Sequence, residues 1–135
     1  MAFSVDKSII DPPGIFQAVL HGPNIFSVSL DNARTLVRRF ETAPLNGVII
    51  DYSDAILGHS MREFHEIASV FAKGLPKGMP FAYVFGAQQL AHVMYMTRLL
   101  HAGGLMVKAH ASQEDANAWI FPLAEARRAE RERAA

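Results

Sequence analysis

Hydrophobic and polar positions alternate in two regimes along this chain, and the change of period marks out its elements. The first thirty residues hold two short runs rich in β-branched and aromatic residues, Phe3 to Ile10 and Ile15 to Leu20. Between them lies Asp11-Pro12-Pro13-Gly14, a strong turn signal, so the runs are expected to pair as antiparallel strands. His21-Gly22-Pro23-Asn24 is expected to break the second run. Leu30, Ala33, Leu36, Val37 and Phe40 then recur at helical spacing with Arg34, Arg38 and Arg39 among them, the pattern of an amphipathic helix.

Asn46-Gly47 opens Val48-Ile49-Ile50-Asp51, an apolar run without alternation, as expected of a central strand covered on both faces. Ser60 stands three residues before Glu63, a capping-box spacing, and Met61, Phe64, Ile67, Ala68 and Phe71 follow with helical period. Gly74, Pro76, Gly78 and Pro80 end that helix, and Phe81 to Phe85 reads as the next strand. A third helix is predicted from about Gln88 to Ala102, with Leu90, Val93, Met94 and Leu100 on its apolar side and Gly103-Gly104 as its stop. Leu105, Met106 and Val107 form a last short strand. Ser112 and Asp115 offer one more helix start, with Ala116, Trp119 and Ile120 as its apolar face and Pro122 as an interruption or restart. From Leu123 onward only Ala, Arg and Glu remain, which predicts a solvated helix or a frayed end.

This order predicts an α/β fold: a mixed sheet of four to five strands with helices packed against it. The expected organisation is one α/β domain over residues 1–121 and a charged helical tail over 122–135. Length agrees, because 135 residues leave no room for a second full domain. The absence of cysteine excludes thiol catalysis, Cys-ligated zinc and iron–sulfur clusters. Thirteen Lys+Arg balance thirteen Asp+Glu, so the broad basic field of nonspecific nucleic-acid binding is missing and no nucleic-acid partner is expected. No stretch is apolar enough to span a membrane, and Asp6 and Lys7 interrupt any signal-peptide core, so a cytoplasmic protein is expected.

The order of elements and three local strings resemble the SpoIIAA-like, or STAS-like, domains, which are related to bacterial anti-sigma-factor antagonists and grouped with Sec14-like lipid-binding modules. The strings are Gly47-Val-Ile-Ile-Asp51, Arg98-Leu-Leu-His-Ala-Gly-Gly104 and Glu114-Asp-Ala-Asn-Ala-Trp-Ile120. Together the resemblance covers about Phe16 to Ile120. It implies a non-enzymatic regulatory module that binds a protein partner, with a switch serine, phosphorylated by a partner kinase, at the start of the helix after the central strand. Asp51 falls on the strand-ending acidic position and Ser60 on the serine, while His59, Met61, Arg62 and Glu63 depart from the antagonists' surroundings. The Sec14-like side of the resemblance implies an alternative, the binding of a lipid or another apolar ligand, for which nine Phe and six Met supply an adaptable apolar inventory.

The candidate site residues are therefore Ser60, His59, Asp51, Ser53 and Asp54. The last three follow the central strand, at the edge where open α/β sheets bind ligands, although Asp and Ser also cap turn amides without any ligand. Ser60 likewise has a plain reading as a helix cap. None of the six histidines is paired at the spacing of a helical zinc site, so no metal and no cofactor are expected. No P-loop, dinucleotide fingerprint or nucleophile-elbow string occurs, and no catalytic residue is assigned. An enzyme would need a histidine within hydrogen-bond reach of Asp51. Tyr95, Met96 and Leu99 lie outside the predicted stripe of the third helix, from which a homodimer is expected; peripheral membrane or lipid contact is left open.

Overall fold

The computed structural model describes residues 2–134. Its elements run β1 (Ser4–Ile10), β2 (Ile15–Asn24), α1 (Phe26–Thr42), β3 (Gly47–Leu57), α2 (Met61–Gly74), β4 (Pro80–Val84), a 3-10 turn (Ala87–Gln89), α3 (Leu90–Ala102), β5 (Met106–His110) and α4 (Gln113–Ala134). The sheet has five strands in the order β1-β2-β3-β4-β5. β1 and β2 pair antiparallel as the turn signal predicts, and the other three pairings are parallel. Parallel strands need cover on both faces. Val48, Ile49, Phe81 and Ala82 are accordingly fully buried.

Alternation along each strand divides that cover in two. Phe16, Ala18, Leu20, Val48, Ile50, Phe81 and Tyr83 face a layer made by α1, α2 and α3. Ile15, Ile49, Ala82 and Val84 face Ala116, Ile120 and Ala124, spaced four apart on α4. The three-helix layer is tight. A Cβ on Gly103, at the end of α3, would lie 2.5 Å from the Cβ of Ala72 on α2, so only glycine lets these two helices approach so closely.

The structure departs from the predicted elements in four places. β2 continues past Leu20 to Asn24; β1 ends opposite His21, so the side of Pro23 turned away from β3 has no neighbour that needs its missing N–H. β3 runs on to Leu57 through a bulge, where Val19 pairs with Asp51 but His21 pairs with Asp54, one residue more on β3 than on β2. On α3 the buried stripe is Val93, Met96 and Leu100, whereas Leu90 and Met94 are exposed. Met96 therefore belongs to the core, while Leu90 and Met94 join Tyr95 and Leu99 outside the buried stripe. Finally, α4 runs unbroken through Pro122, so the expected boundary at 121/122 falls inside a helix, and Ala124 in the supposed tail is fully buried. Arg131 near its end donates to the carbonyl of Leu45 and to Asn46 Oδ1 at 3.0 and 2.9 Å.

Docking of this last segment is directly testable. Ala124→Glu buries an unpaired charge against the sheet and is expected to cost about 3–5 kcal/mol in urea unfolding. Ala126→Glu, on the exposed side of the same turn, is expected to stay within about 0.5 kcal/mol of the parent. Equal stability of the two variants would show that residues beyond Pro122 are undocked.

Candidate functional site

In this topology α1, α2 and α3 all begin at the edge where the parallel strands end, so their N-termini and the loops before them gather at one end of the sheet. Ser60 is the N-cap of α2, and it is exposed. Its Oγ accepts from the Glu63 N–H at 3.2 Å, while the Ser60 N–H donates to Glu63 Oε1 at 2.8 Å. The predicted capping box is thus present with both hydrogen bonds, each satisfying a backbone donor that the helix leaves free. Ser60 Oγ serves only as an acceptor in this arrangement.

His59 does something different from its neighbour. It is 8% exposed, and its Nε2 lies 2.8 Å from Ser29 Oγ on α1, which ties the loop before α2 to the adjacent helix. Its ring stacks on Phe64 at 5.1 Å between centroids, and Phe64 in turn meets His92 at 5.4 Å. Burial lowers the pKa of His59, opposed by the Glu63 carboxylate and reinforced by His92. A buried, hydrogen-bonded imidazole is a support for the Ser60 position rather than a group open to a surface partner.

The other three candidates lie elsewhere. Asp51 is 9% exposed, and its Oδ1 accepts from both the N–H and the Oγ of Ser53, at 2.9 and 2.6 Å. This pair closes the bulge of β3, as the turn reading of these residues anticipates. Asp54 Oδ2 accepts from His21 Nδ1 at 2.6 Å, and Asp6 Oδ2 lies 3.1 Å from His21 Nε2, so one imidazole clamps strands β1, β2 and β3. The structure therefore splits the predicted cluster: Ser60 and His59 belong to the start of α2, Asp51 and Ser53 to the bulge, and Asp54 to the His21 clamp. The histidine beside a carboxylate is His21, bonded to Asp54 and Asp6, and not a partner of Asp51.

Sequence reasoning missed His21, Ser29, Asn24 and Gln89. Gln89 is 3% exposed and donates from Nε2 to the carbonyls of Tyr52 and Ala55 at 2.6 and 2.5 Å, fastening the turn before α3 to β3. Each of these contacts spans 15 residues or more of chain, a distance at which spacing carries no signal. Around the helix starts, Ile25, Ile56, Met61, Leu90 and Met94 are 59, 65, 66, 47 and 58% exposed. Met61, Ala91 and Tyr95, with His59, Phe64 and His92, line an open groove of about 320 Å³ between α2 and α3. By contrast, the apolar cavity under α1 is about 30 Å³, water-sized and far from the room an acyl chain needs. Among the described residues no cluster of three or more His, Asp or Glu is placed to hold a metal ion, and no helix is long and apolar enough to cross a membrane.

No protein-family model matches the chain, and no curated protein is significantly similar to it in sequence. Its structure is similar to the crystal structure of an anti-sigma factor antagonist from Mycobacterium paratuberculosis. The TM-score is 0.58 and the identity 16%, over 85% of this chain and 92% of that one. The mixed five-stranded sheet with four helices is thus the fold of an anti-sigma factor antagonist, the SpoIIAA-like or STAS-like architecture that the three sequence strings resemble.

The histidines supply a pH test with opposite signs. The Asp54 and Asp6 carboxylates raise the pKa of His21 above 6.5, whereas burial lowers those of His59 and His110. The His21 clamp therefore contributes its stability in full below pH 6.5 and loses it as the pH rises through the raised value. The neutral, buried His59 and His110 act in reverse, and their contribution falls as acid protonates the unfolded chain. Ring-proton NMR titration is expected to place His21 above 6.5 and the other two below it; a His21 that titrates below 6.5 would show that the clamp does not form.

Proposed function

We propose that this chain is a non-enzymatic regulatory module of the cytoplasm that binds a protein partner at the face around the start of α2. The observation that carries this reading is the coincidence of an exposed capping serine with exposed Met61, Leu90 and Met94 beside one groove. Apolar side chains that a core would otherwise have absorbed are gathered where three helices begin, and a polar, hydrogen-bond-competent hydroxyl stands among them. Fold similarity to an anti-sigma factor antagonist supports the same reading by analogy. The partner is a different protein or a second copy of this chain.

Ser60 is the regulatory position in this account. A phosphate there sits at the positive end of α2 and beside Arg62, but it also displaces the Glu63 carboxylate that now lies 2.8 Å from the Ser60 amide. Phosphorylation consequently rebuilds the cap and changes the charge of the face in one step. Asp51, Ser53 and Asp54 support the end of β3 from which this face is hung.

Two variants separate the cap from the switch. Ser60→Ala is expected to lose about 0.5–2 kcal/mol of stability, because the Glu63 N–H at the start of α2 loses its acceptor. Ser60→Asp keeps a good cap, holds its stability, and is expected to weaken partner capture by adding charge to the face. Cross-linking followed by mass spectrometry of protein purified from its own host reads the partner, and sedimentation reads self-association. Capture unchanged in Ser60→Asp and in Met61→Arg would remove the α2 face as the binding surface.

A further inference from the structure

Charge is balanced over the whole chain but not along it. Between Glu66 and Glu114 no Asp or Glu occurs, while Lys73, Lys77, Arg98 and Lys108 fall in that stretch and all four are exposed. The fold gathers them toward the end of the molecule opposite Ser60. From Ser60 the 14 residues of α2 carry the chain about 21 Å to a last turn that holds Lys73. Arg98 and His101 lie in the last two turns of α3, which runs the same way. The loops before β4 and β5 are bonded to each other there: the Gly78 N–H donates to the Gly104 carbonyl at 2.8 Å, and Lys77 Nζ donates to the Gly103 carbonyl at 2.9 Å. Arg127 of α4 reaches the same loops, its Nη1 3.9 Å from where a Cβ on Gly78 would stand. Lys108 follows on β5, the edge strand of the sheet.

Part of this charge has a structural use. Lys73 and His101 offset the dipoles of their helices, and Lys77 occupies a carbonyl that the end of α3 leaves free. Lys108 blunts the open edge of β5. Arg98 and Arg127 have none of these duties. Among the described residues, none of Lys73, Lys77, Arg98, Lys108 and Arg127 forms an ion pair, although Arg128 meets both Glu125 and Glu132. Arg127 Nε is buried without an acceptor; burial and the neighbouring Arg131 lower its pKa, opposed by Glu130 of the same helix. Like charges are therefore crowded at this corner without an internal counter-ion for each.

We propose that this corner docks the protein on an anionic membrane surface, with the Ser60 face turned away from the lipid. The cations line neither the groove between α2 and α3 nor the cavity under α1, so they offer a small anion no enclosed seat. A field spread over a corner suits an extended anionic surface, where each nearby Lys or Arg raises partition about fivefold. Met106, 45% exposed, and the exposed Pro76 stand among the cations, and apolar groups so placed enter the boundary between headgroups and acyl chains. The length of α2 exceeds the Debye length of about 10 Å at 0.1 M salt, so lipid charge is screened before it reaches Ser60.

Flotation of the whole chain with extruded vesicles tests this. Vesicles of phosphatidylcholine with about 30% phosphatidylglycerol are expected to bind at least about tenfold more protein than phosphatidylcholine alone, and to release it as salt rises from about 0.1 to about 0.5 M. The paired change Arg98→Glu with Lys108→Glu is expected to weaken binding by about 25-fold or more, at about fivefold per charge removed. Arg34→Glu with Arg38→Glu makes the same change of net charge on exposed positions of α1 and is expected to leave binding within about twofold. Circular dichroism checks that each variant is folded. Equal binding to both vesicles, no binding to either, or equal loss in the two variants overturns the proposal. Retention on immobilised polyglutamate without vesicle binding also overturns it and assigns the corner to an acidic protein. Partner capture at the start of α2 fails or succeeds separately, because Ser60→Asp and Met61→Arg lie at the other end of that helix.

Discussion

The parallel core of β2, β3 and β4 must be buried on both faces, and every other feature of the molecule follows from how that demand is met. Three helices cover one face and a single long helix covers the other. Because each parallel connection returns the chain to the same end of the sheet, α1, α2 and α3 must all start at the edge where the strands finish. Helix starts carry free amide donors and short polar loops, so that edge is where the fold can afford chemistry. The opposite face offers no such edge, since α4 lies on it with small residues at every fourth position and one isoleucine filling the space between them.

Much of this architecture was legible in the sequence because it rests on local signals. The β-branched and aromatic runs either side of Asp11-Pro12-Pro13-Gly14, the unbroken apolar run at Val48 to Ile50, and the Ser60–Glu63 spacing are each written in a few consecutive residues, and each predicted element is present. The misread portions share one physical cause. α3 is apolar nearly all round, so periodicity alone could not say which stripe faces inward; packing against α2 and β5 selects Val93, Met96 and Leu100 over Leu90 and Met94. In α4 the buried side of the last turns is only Ala124, a residue too small to register as an apolar stripe in an Ala-rich tail. Pro23 and Pro122 were weighed as breakers, yet one lies beyond the end of the neighbouring strand and the other on the solvent side of its helix.

The candidate site was legible only in part, and for a related reason. A capping box is written in consecutive residues, so Ser60 could be found. The His59–Ser29 bond, the His21 clamp and the Gln89 fastening each join segments 15 to 37 residues apart, and nothing in the spacing of polar residues announces them. Asp51, Ser53 and Asp54 look like one cluster in the sequence. A one-residue bulge and the alternation of the strand keep Asp51 with Ser53 and send Asp54 to His21 on the neighbouring strand.

The relation of Ser60 to its neighbours holds that position in place while leaving it exposed. On its N-terminal side His59 is anchored to α1, and four residues on, Phe64 is buried in the core beneath the same ring stack. The exposed hydroxyl is therefore held between two fixed points without being part of the core itself. On the proposed reading, a partner docking here would order little of the backbone, so less of the contact energy would be consumed by lost conformational freedom. The same support places a cost on change: any substitution that frees His59 also loosens the start of α2.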